Sequence, residues 1–198
     1  MSKVFAGASM SLDGYVAGPG QSGFDHLFAW NTNGDVEMSI GGSGTRLTLR
    51  MSQVSAGRYS ALLESTGALV VGRFLYDMTN AWGGEHPLQR PVVVLTHNPP
   101  EHSSEHFTFV TEGIEAAVAK AKELADGRNV GLNSGTITRQ ALDAGLVDEI
   151  EVDLVPVLLG GGTPFFGELA KAPVKLEGPV SVQEGVGVTH LRYLVTKA

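Results

Sequence analysis

The stretch VGLNSGTITRQALDAGLVDEIEVDLVPVLL, residues 130–159, has the pattern of a strand, a helix and a second strand. Residues 130–132 form a short apolar segment, which is followed by the turn 134–136. Apolar spacing then predicts a helix over 137–144, which Gly145 closes, and the long apolar run 149–159 predicts the second strand. A strand, helix and strand in this order favour a parallel sheet with the helix on one face.

The rest of the chain continues this alternation. Strands are predicted over 3–10, 68–71, 91–95 and 107–110, with 15–17 as a short extended piece and 174–183 with 188–195 as an antiparallel hairpin. Helices are predicted over 52–65, 73–78 and 114–125. The first of these begins after the capping residue Ser52, and its expected buried face is Val54, Tyr59, Leu62 and Leu63.

These elements predict a single α/β domain over 1–198, with a mixed, mostly parallel sheet, an antiparallel C-terminal hairpin and flanking helices. Residues 18–50 show no sustained periodicity and contain several glycine-rich breaks. A stretch of this length inside a compact domain is typically a lid or a binding loop, and we expect that role for it.

Composition narrows the class of protein. At 198 residues and 42% hydrophobic content, the chain is long enough for one substantial core. The net charge of -7 argues against binding to nucleic-acid phosphates, and the lack of cysteine rules out disulfides and thiolate metal sites. No apolar run approaches the roughly 20 residues that span a bilayer. We therefore expect a cytoplasmic protein that binds a small molecule, and neither nucleic acid nor membrane.

Small and polar residues follow several predicted strands, at the edge where open α/β sheets bind ligands. Gly72–Arg73 ends a strand and begins a helix, which favours phosphate binding by backbone N–H groups and the guanidinium; a surface arginine is the alternative. Thr96–His97 follows the next strand, where a plain turn histidine is the alternative. Asn133–Thr136 exposes N–H groups to a pyrophosphate, and Leu159–Gly162 allows close backbone approach, although bare turns explain both.

Four segments together carry a family resemblance: SLDGYVAG (11–18), VGRFLYDM (71–78), NSGTITRQALDAGLVDEI (133–150) and PVLLGGGTPFF (156–166). In this order they resemble the C-terminal reductase domain of riboflavin biosynthesis, a branch of the dihydrofolate-reductase-like fold. The resemblance extends from about Lys3 to Val195. It implies a twisted mixed sheet of eight or nine strands, NADPH lying across the strand C-termini, and a homodimer.

The resemblance also implies which residues form the site. Those expected to bind the cofactor are Gly72, Arg73, Phe74, Thr96, His97, Asn133, Ser134, Gly135, Thr136, Ile137, Leu159 and Gly160. Those expected to contact the substrate are Ala8, Asp13, Gly14, Trp30 and Trp82. Asp13 is the expected catalytic residue. From the residues alone, an ordinary Asp-Gly turn and tryptophans packed in the core are the alternatives.

The expected activity is hydride transfer from NADPH to a C=N or C=O bond of a flat or small polar metabolite. A flavin- or deazaflavin-binding reductase and a non-catalytic nucleotide-binding module are the two alternatives. A true dihydrofolate reductase carries a pocket carboxylate on its first long helix, where this chain offers only Glu64, so dihydrofolate is expected to be a poor substrate. The histidines lack metal-ligand spacing, and no metal is predicted.

Overall fold

The computed structural model describes residues 2–42 and 46–197. Its strands are β1 (Val4–Ser11), β2 (Tyr15–Ala17), β3 (Val36–Ile40), β4 (Leu47–Met51), β5 (Thr66–Gly72), β6 (Val92–Leu95), β7 (Phe107–Val110), β8 (Asn129–Leu132), β9 (Glu149–Val155), β10 (Thr163–Pro164), β11 (Leu176–Gly185) and β12 (Val188–Val195). Its helices are α1 (Phe24–Leu27), α2 (Gln53–Ser65), α3 (Arg73–Met78), α4 (Ile114–Leu124) and α5 (Thr136–Asp143).

Eight strands form one mixed sheet in the order β11-β12-β9-β1-β8-β5-β6-β7. The strands from β9 to β7 run parallel, whereas β12 is antiparallel to both β9 and β11. β1 lies inside the sheet, where Val4 pairs with Val130 of β8 and Phe5 pairs with Glu149 of β9. The predicted fold, a mostly parallel mixed sheet with an antiparallel C-terminal hairpin, is confirmed.

Helices cover both faces of this sheet, which explains why its strands are apolar on both sides. α4 and α5 pack on one face, in the same core cluster as Val70 of β5 and Val93 of β6. On the other face Tyr76 of α3 packs with Val71 and Val94. None of the helices in the described ranges is long and apolar enough to cross a membrane.

The buried face of α2 differs from the predicted one only in its first turn. Ser52 caps the helix as predicted, because its hydroxyl accepts a hydrogen bond of 3.2 Å from the Ser55 N–H. Val54, however, is 42% exposed, whereas Ser55 and Ala56 are buried. The other three residues of the predicted face, Tyr59, Leu62 and Leu63, are half-buried. The Ser55 hydroxyl lies 2.9 Å from Nε2 of His190 in β12, a polar contact that apolar spacing does not predict.

Two further elements differ from the prediction. β9 ends at Val155 instead of continuing to residue 159, because Pro156 follows and has no N–H for the strand ladder. The segment 18–50 is only partly a loop. It contains α1, and β3 forms a hairpin with β4 in which Val36 pairs with Met51. Residues 43–45 of this predicted lid lie outside the described residues.

Candidate active-site cleft

A cleft of about 760 Å³ lies at the carboxyl ends of the central parallel strands. β1 contributes Gly7–Ser9 and β5 contributes Gly72, while the turn after β8 and the first residues of α5 contribute Asn133–Ile137. The segment 18–50 adds apolar side chains, among them Phe24, Phe28, Ile40 and Leu47. The cleft is therefore lined mainly by carbon, with a few polar groups, which is typical of sites that bind small molecules or cofactors.

Gly72 and the turn after β8 meet in one wall because β5 and β8 are neighbours that run in the same direction. A Cβ added to Gly72 would stand 3.5 Å from the Ile137 side chain, so the two residues are in direct contact across this wall. Gly135 has φ 75° and ψ -129°, a conformation that favours glycine, and it leads into α5 without a side-chain cap. The first N–H groups of α5 therefore remain available to an anion.

Arg73 and Thr96 lie beside this wall and do not line the cleft. The Arg73 Nε donates to both Asp77 carboxylate oxygens at 2.8 and 2.9 Å, and its Nη1 donates to the Asn98 carbonyl. The buried Thr96 hydroxyl accepts from the Asn98 N–H at 3.2 Å, whereas His97 is exposed. These residues thus form one cluster at the ends of β5 and β6, with Arg73 as its cation.

Asp13, with Gly14, lies at the mouth of β1 and outside the cleft lining. Its carboxylate accepts from the Ser11 hydroxyl at 2.6 Å and from the N–H groups of Leu159 and Gly160 at 3.1 and 2.7 Å. The Ser11 hydrogen bond and these backbone donors lower the pKa of Asp13. An ionised carboxylate with three donors is a poor proton donor at neutral pH, and the geometry gives Asp13 a positioning role for the 159–160 loop.

The two tryptophans expected near the substrate have different surroundings. Trp30 is only 3% exposed, its Nε1 donates to the Ser9 hydroxyl at 3.1 Å, and its ring meets His190 edge-on at 5.2 Å. It belongs to the core beneath the cleft. Trp82 and Ala8 both line the cleft. The ring centroids of Trp82 and His86 are 4.6 Å apart. Trp82 sits in a left-handed turn with φ 49°, a backbone conformation that bulky residues adopt only where the surroundings enforce it.

Several polar residues of the cleft were not predicted from the sequence: Ser9, Gln21, Asn31, Tyr59, Thr79, His86 and Thr163. Burial, with a smaller contribution from the Asp153 charge, raises the pKa of Tyr59 to about 12. Burial lowers the pKa of His86 to about 4, and its Nδ1 accepts from the Leu88 N–H at 3.1 Å, which leaves the proton on Nε2. Both side chains are therefore uncharged at neutral pH. Tyr59 fits the apolar spacing of α2, so the sequence predicted a core residue and not a residue of the cleft.

A second polar group lies behind α2. His190 Nδ1 is 2.8 Å from an Asp153 carboxylate oxygen, which also accepts from Arg58 at 3.1 Å, while Ser55 meets the other ring nitrogen of His190. Serine, histidine and aspartate in this order resemble a hydrolase triad. Ser55 is only 1% exposed and does not line the cleft, so the group ties α2 to β9 and β12 and has no access to a substrate.

Comparisons with known proteins agree with this architecture. The family of the RibD C-terminal domain matches residues 2–188. The protein YwjB of Bacillus subtilis (strain 168) is 27% identical over 137 residues, which cover 68% of this chain and 78% of YwjB. The structure of a protein assigned to riboflavin biosynthesis from Shewanella sp. PV-4 superposes with a TM-score of 0.74 and 23% identity, covering 98% of this chain and 99% of that one. Dihydrofolate reductase from Enterococcus faecalis, solved with NADP(H) and RAB-propyl, gives a TM-score of 0.57 and 15% identity, covering 98% and 96%.

Proposed function

The chain belongs to the RibD C-terminal domain family, and from this premise we propose that it is an NADPH-dependent reductase that transfers a hydride to a C=N or C=O bond of a small polar or heterocyclic metabolite. The observation that carries the proposal is the shared cleft wall formed by Gly72 and Asn133–Ile137. At this wall the backbone can approach a ligand closely, and the first N–H groups of α5 are free to bind an anion. The wall borders an apolar chamber that is large enough for a second ring.

The residues present fit a dinucleotide. The N–H groups at the start of α5 would hold the pyrophosphate, since Gly135 brings the backbone there without a side chain. Arg73 and Thr96 would hold the adenosine end. Arg73 keeps its Nη2 group free of partners within residues 2–42 and 46–197, and that group would bind the 2′-phosphate which distinguishes NADPH from NADH.

When bound, NADPH supplies the hydride, and the chain supplies position and shielding. Ala8 and Gly72 leave room in the cleft, and Phe74 and Ile137 add apolar surface. Asp13 holds the 159–160 loop through two backbone N–H groups. We propose that the segment 18–50 covers the substrate, because its side chains line the cleft. A dry chamber of this kind protects hydride transfer from water.

The test is a calorimetric titration of NADPH and NADH into the wild-type protein and the Arg73→Ala variant. We expect NADPH to bind more tightly than NADH. Loss of the charge-assisted contact should weaken NADPH by roughly 1.5 to 3 kcal/mol and NADH by less. Arg128→Ala is the matched control, because Arg128 is an exposed arginine just before β8, at the opposite edge of the sheet.

The outcomes separate the parts of the proposal. Failure of the wild-type protein to bind either nucleotide would overturn it, and a purified protein with a flavin spectrum would replace the nicotinamide with a flavin. Equal loss of affinity in the Arg73 and Arg128 variants would remove Arg73 from the site. Oxidation of bound NADPH by a panel of carbonyl and imine compounds then distinguishes a reductase from a nucleotide-binding module.

A further inference from the structure

The dipeptide Asn33–Gly34 lies in the bend between the buried Trp30 and β3. It is the one place in the chain of 198 residues where a glycine follows an asparagine. In such a pair the backbone nitrogen of the glycine can attack the side-chain amide carbon of the asparagine, because the missing Cβ leaves the approach open and the backbone free to adopt it. Asn33 is also exposed to water. The pair is therefore a candidate for deamidation, which converts the amide into an acid.

Packing makes the glycine of this pair obligatory. A Cβ added to Gly34 would stand 1.9 Å from the carbonyl carbon of Met51 and 2.2 Å from the nitrogen of Ser52. Both are backbone atoms, which cannot move aside without opening the pairing of β3 with β4. The fold therefore keeps at position 34 the residue that makes Asn33 most reactive.

Two hydrogen bonds hold the pair in an unreactive conformation. The Gly34 N–H donates to the Arg50 carbonyl at 2.8 Å, so the attacking nitrogen is engaged by the chain next to β4. The Asn33 side-chain N–H donates at 2.9 Å to the Val186 carbonyl, which lies in the turn between β11 and β12. The nitrogen that attacks and the amide that leaves are thus both bound. The reaction requires local opening of this bend, as does the hydrogen exchange of a protected amide.

We propose that Asn33 is a deamidation site whose rate is set by local opening of the Asn33–Gly34 pair. In the open state the Gly34 nitrogen attacks Cγ of Asn33, the N–Cγ bond forms and the Cγ–Nδ2 bond breaks, and the amide nitrogen leaves as ammonia with the Gly34 proton. Water then adds across one of the two C–N bonds of the five-membered imide and gives aspartate or isoaspartate at position 33. Only water enters and only ammonia leaves, so the inference does not rest on the proposed function.

The product cannot restore the contact that the amide made. A carboxylate at position 33 has no N–H to donate, and its oxygens would face the Val186 carbonyl oxygen. Isoaspartate also lengthens the backbone by one carbon beside Gly34, where the Met51 backbone leaves no space. Each reacted molecule should therefore lose the link between the 18–50 segment and the turn between β11 and β12.

The first experiment follows Asn33 by peptide mass spectrometry while the wild-type protein is incubated at mildly alkaline pH, either folded or in urea. We expect the mass increase of amide-to-acid conversion in both samples, and the rate should be roughly ten- to a hundredfold lower in the folded one, because two hydrogen bonds must break first. Val36→Ala, at the end of β3 that pairs with Met51, should accelerate the reaction in the folded protein. Val110→Ala is the matched control, because it makes the same truncation in the edge strand β7 and should leave the rate unchanged.

The second experiment measures the consequence of the reaction. Asn33→Asp reproduces one product and should speed hydrogen exchange of the Gly34 amide several-fold, whereas Ser39→Asp places the same charge at an exposed position of β3 and should leave this exchange at the wild-type value. Four results would overturn the inference: no reaction at Asn33 in the folded protein after the unfolded protein has reacted, equal rates in the folded and unfolded protein, equal acceleration by the two valine variants, or unchanged exchange in Asn33→Asp. The first two need only the wild-type protein, so they remain decisive even if a variant fails to fold.

Discussion

Replacing Gly135 by alanine tests the proposed cofactor-binding wall at a backbone position that favours glycine. The steric consequence is small, since an added Cβ would stand 3.6 Å from Thr163 and 3.9 Å from the Pro164 carbonyl, which are ordinary contacts. The cost to folding is therefore backbone strain at φ 75° and ψ -129°, about 1 to 3 kcal/mol. For a chain of 198 residues this corresponds to a fall in Tm of about 2 to 4 °C per kcal/mol.

The same methyl group lies at the start of α5, where we expect the pyrophosphate. Loss of one charge-assisted contact costs roughly 1.5 to 3 kcal/mol, or about ten- to a hundredfold in the Kd of NADPH. At an NADPH concentration about 100 times the wild-type Kd, the ligand stabilises the wild-type fold by about 2.7 kcal/mol. The same concentration would stabilise the Gly135→Ala fold by only about 0.4 to 1.4 kcal/mol.

Gly145→Ala is the matched control at the other end of α5. Gly145 also has a positive φ, 70°, and an added Cβ there meets nothing within 4 Å. We expect it to cost about 1 to 2 kcal/mol of stability while the NADPH-dependent rise in Tm stays at the wild-type value. Thermal unfolding with and without NADPH measures both quantities. An unchanged ligand-dependent rise in the Gly135 variant would refute the assignment of this turn to the cofactor.

Three further predictions concern assembly, the loop at 159–160 and pH. We expect a homodimer that pairs through the edge strand β11, where Val182 is 54% exposed, so light scattering should give twice 20.8 kDa for the wild type and a monomer for Val182→Asp. Asp13→Asn should slow NADPH oxidation because it weakens the anchor of the 159–160 loop, and it should leave NADPH affinity nearly intact because Asp13, Leu159 and Gly160 are not among the described residues that line the cleft; full activity would contradict this. Because burial lowers the pKa of His86 to about 4, the unfolded state binds its proton first as the pH falls below about 6.5. Stability should therefore decrease from that pH toward about 4 by roughly 1 to 3 kcal/mol, and His86→Gln should flatten this part of a urea-unfolding profile.

The elements that could be predicted from the sequence are those whose partners are adjacent in the chain. The apolar spacing predicts α4 over 114–125, and the helix lies over Ile114–Leu124, because that spacing faces one continuous core. The burial of Ser55 in place of Val54 could not be predicted, because the partner of Ser55 is His190, a residue of the last strand. The pairing of β3 with β4 was not predicted because glycines between the two segments in the sequence interrupt a short alternation of side chains.

The same distinction applies to the cleft. Gly72 and Asn133–Ile137 follow parallel neighbouring strands, so topology alone brings them together at one edge. Trp30 and Asn31 are consecutive, yet only Asn31 lines the cleft, because the path of the 18–50 segment directs the indole toward Ser9. Side chains positioned by an irregular segment leave no periodic signal in the sequence.

The position of β1 inside the sheet has a consequence for synthesis on the ribosome. By the time residue 110 has left the exit tunnel, β5, β6 and β7 are complete, but β1 still lacks its neighbours β8 and β9. β1 is thus made before the other strands of this sheet but is among the last to be paired, and its two open edges are exposed to other nascent chains in the interval. The Val4 N–H and the Val195 N–H both donate to Asp148, so the two chain ends are close in the finished fold. A circular permutant beginning at Gly113 would emerge with β8 and β9 first. Its β1 would then be synthesised after both of the strands with which it pairs.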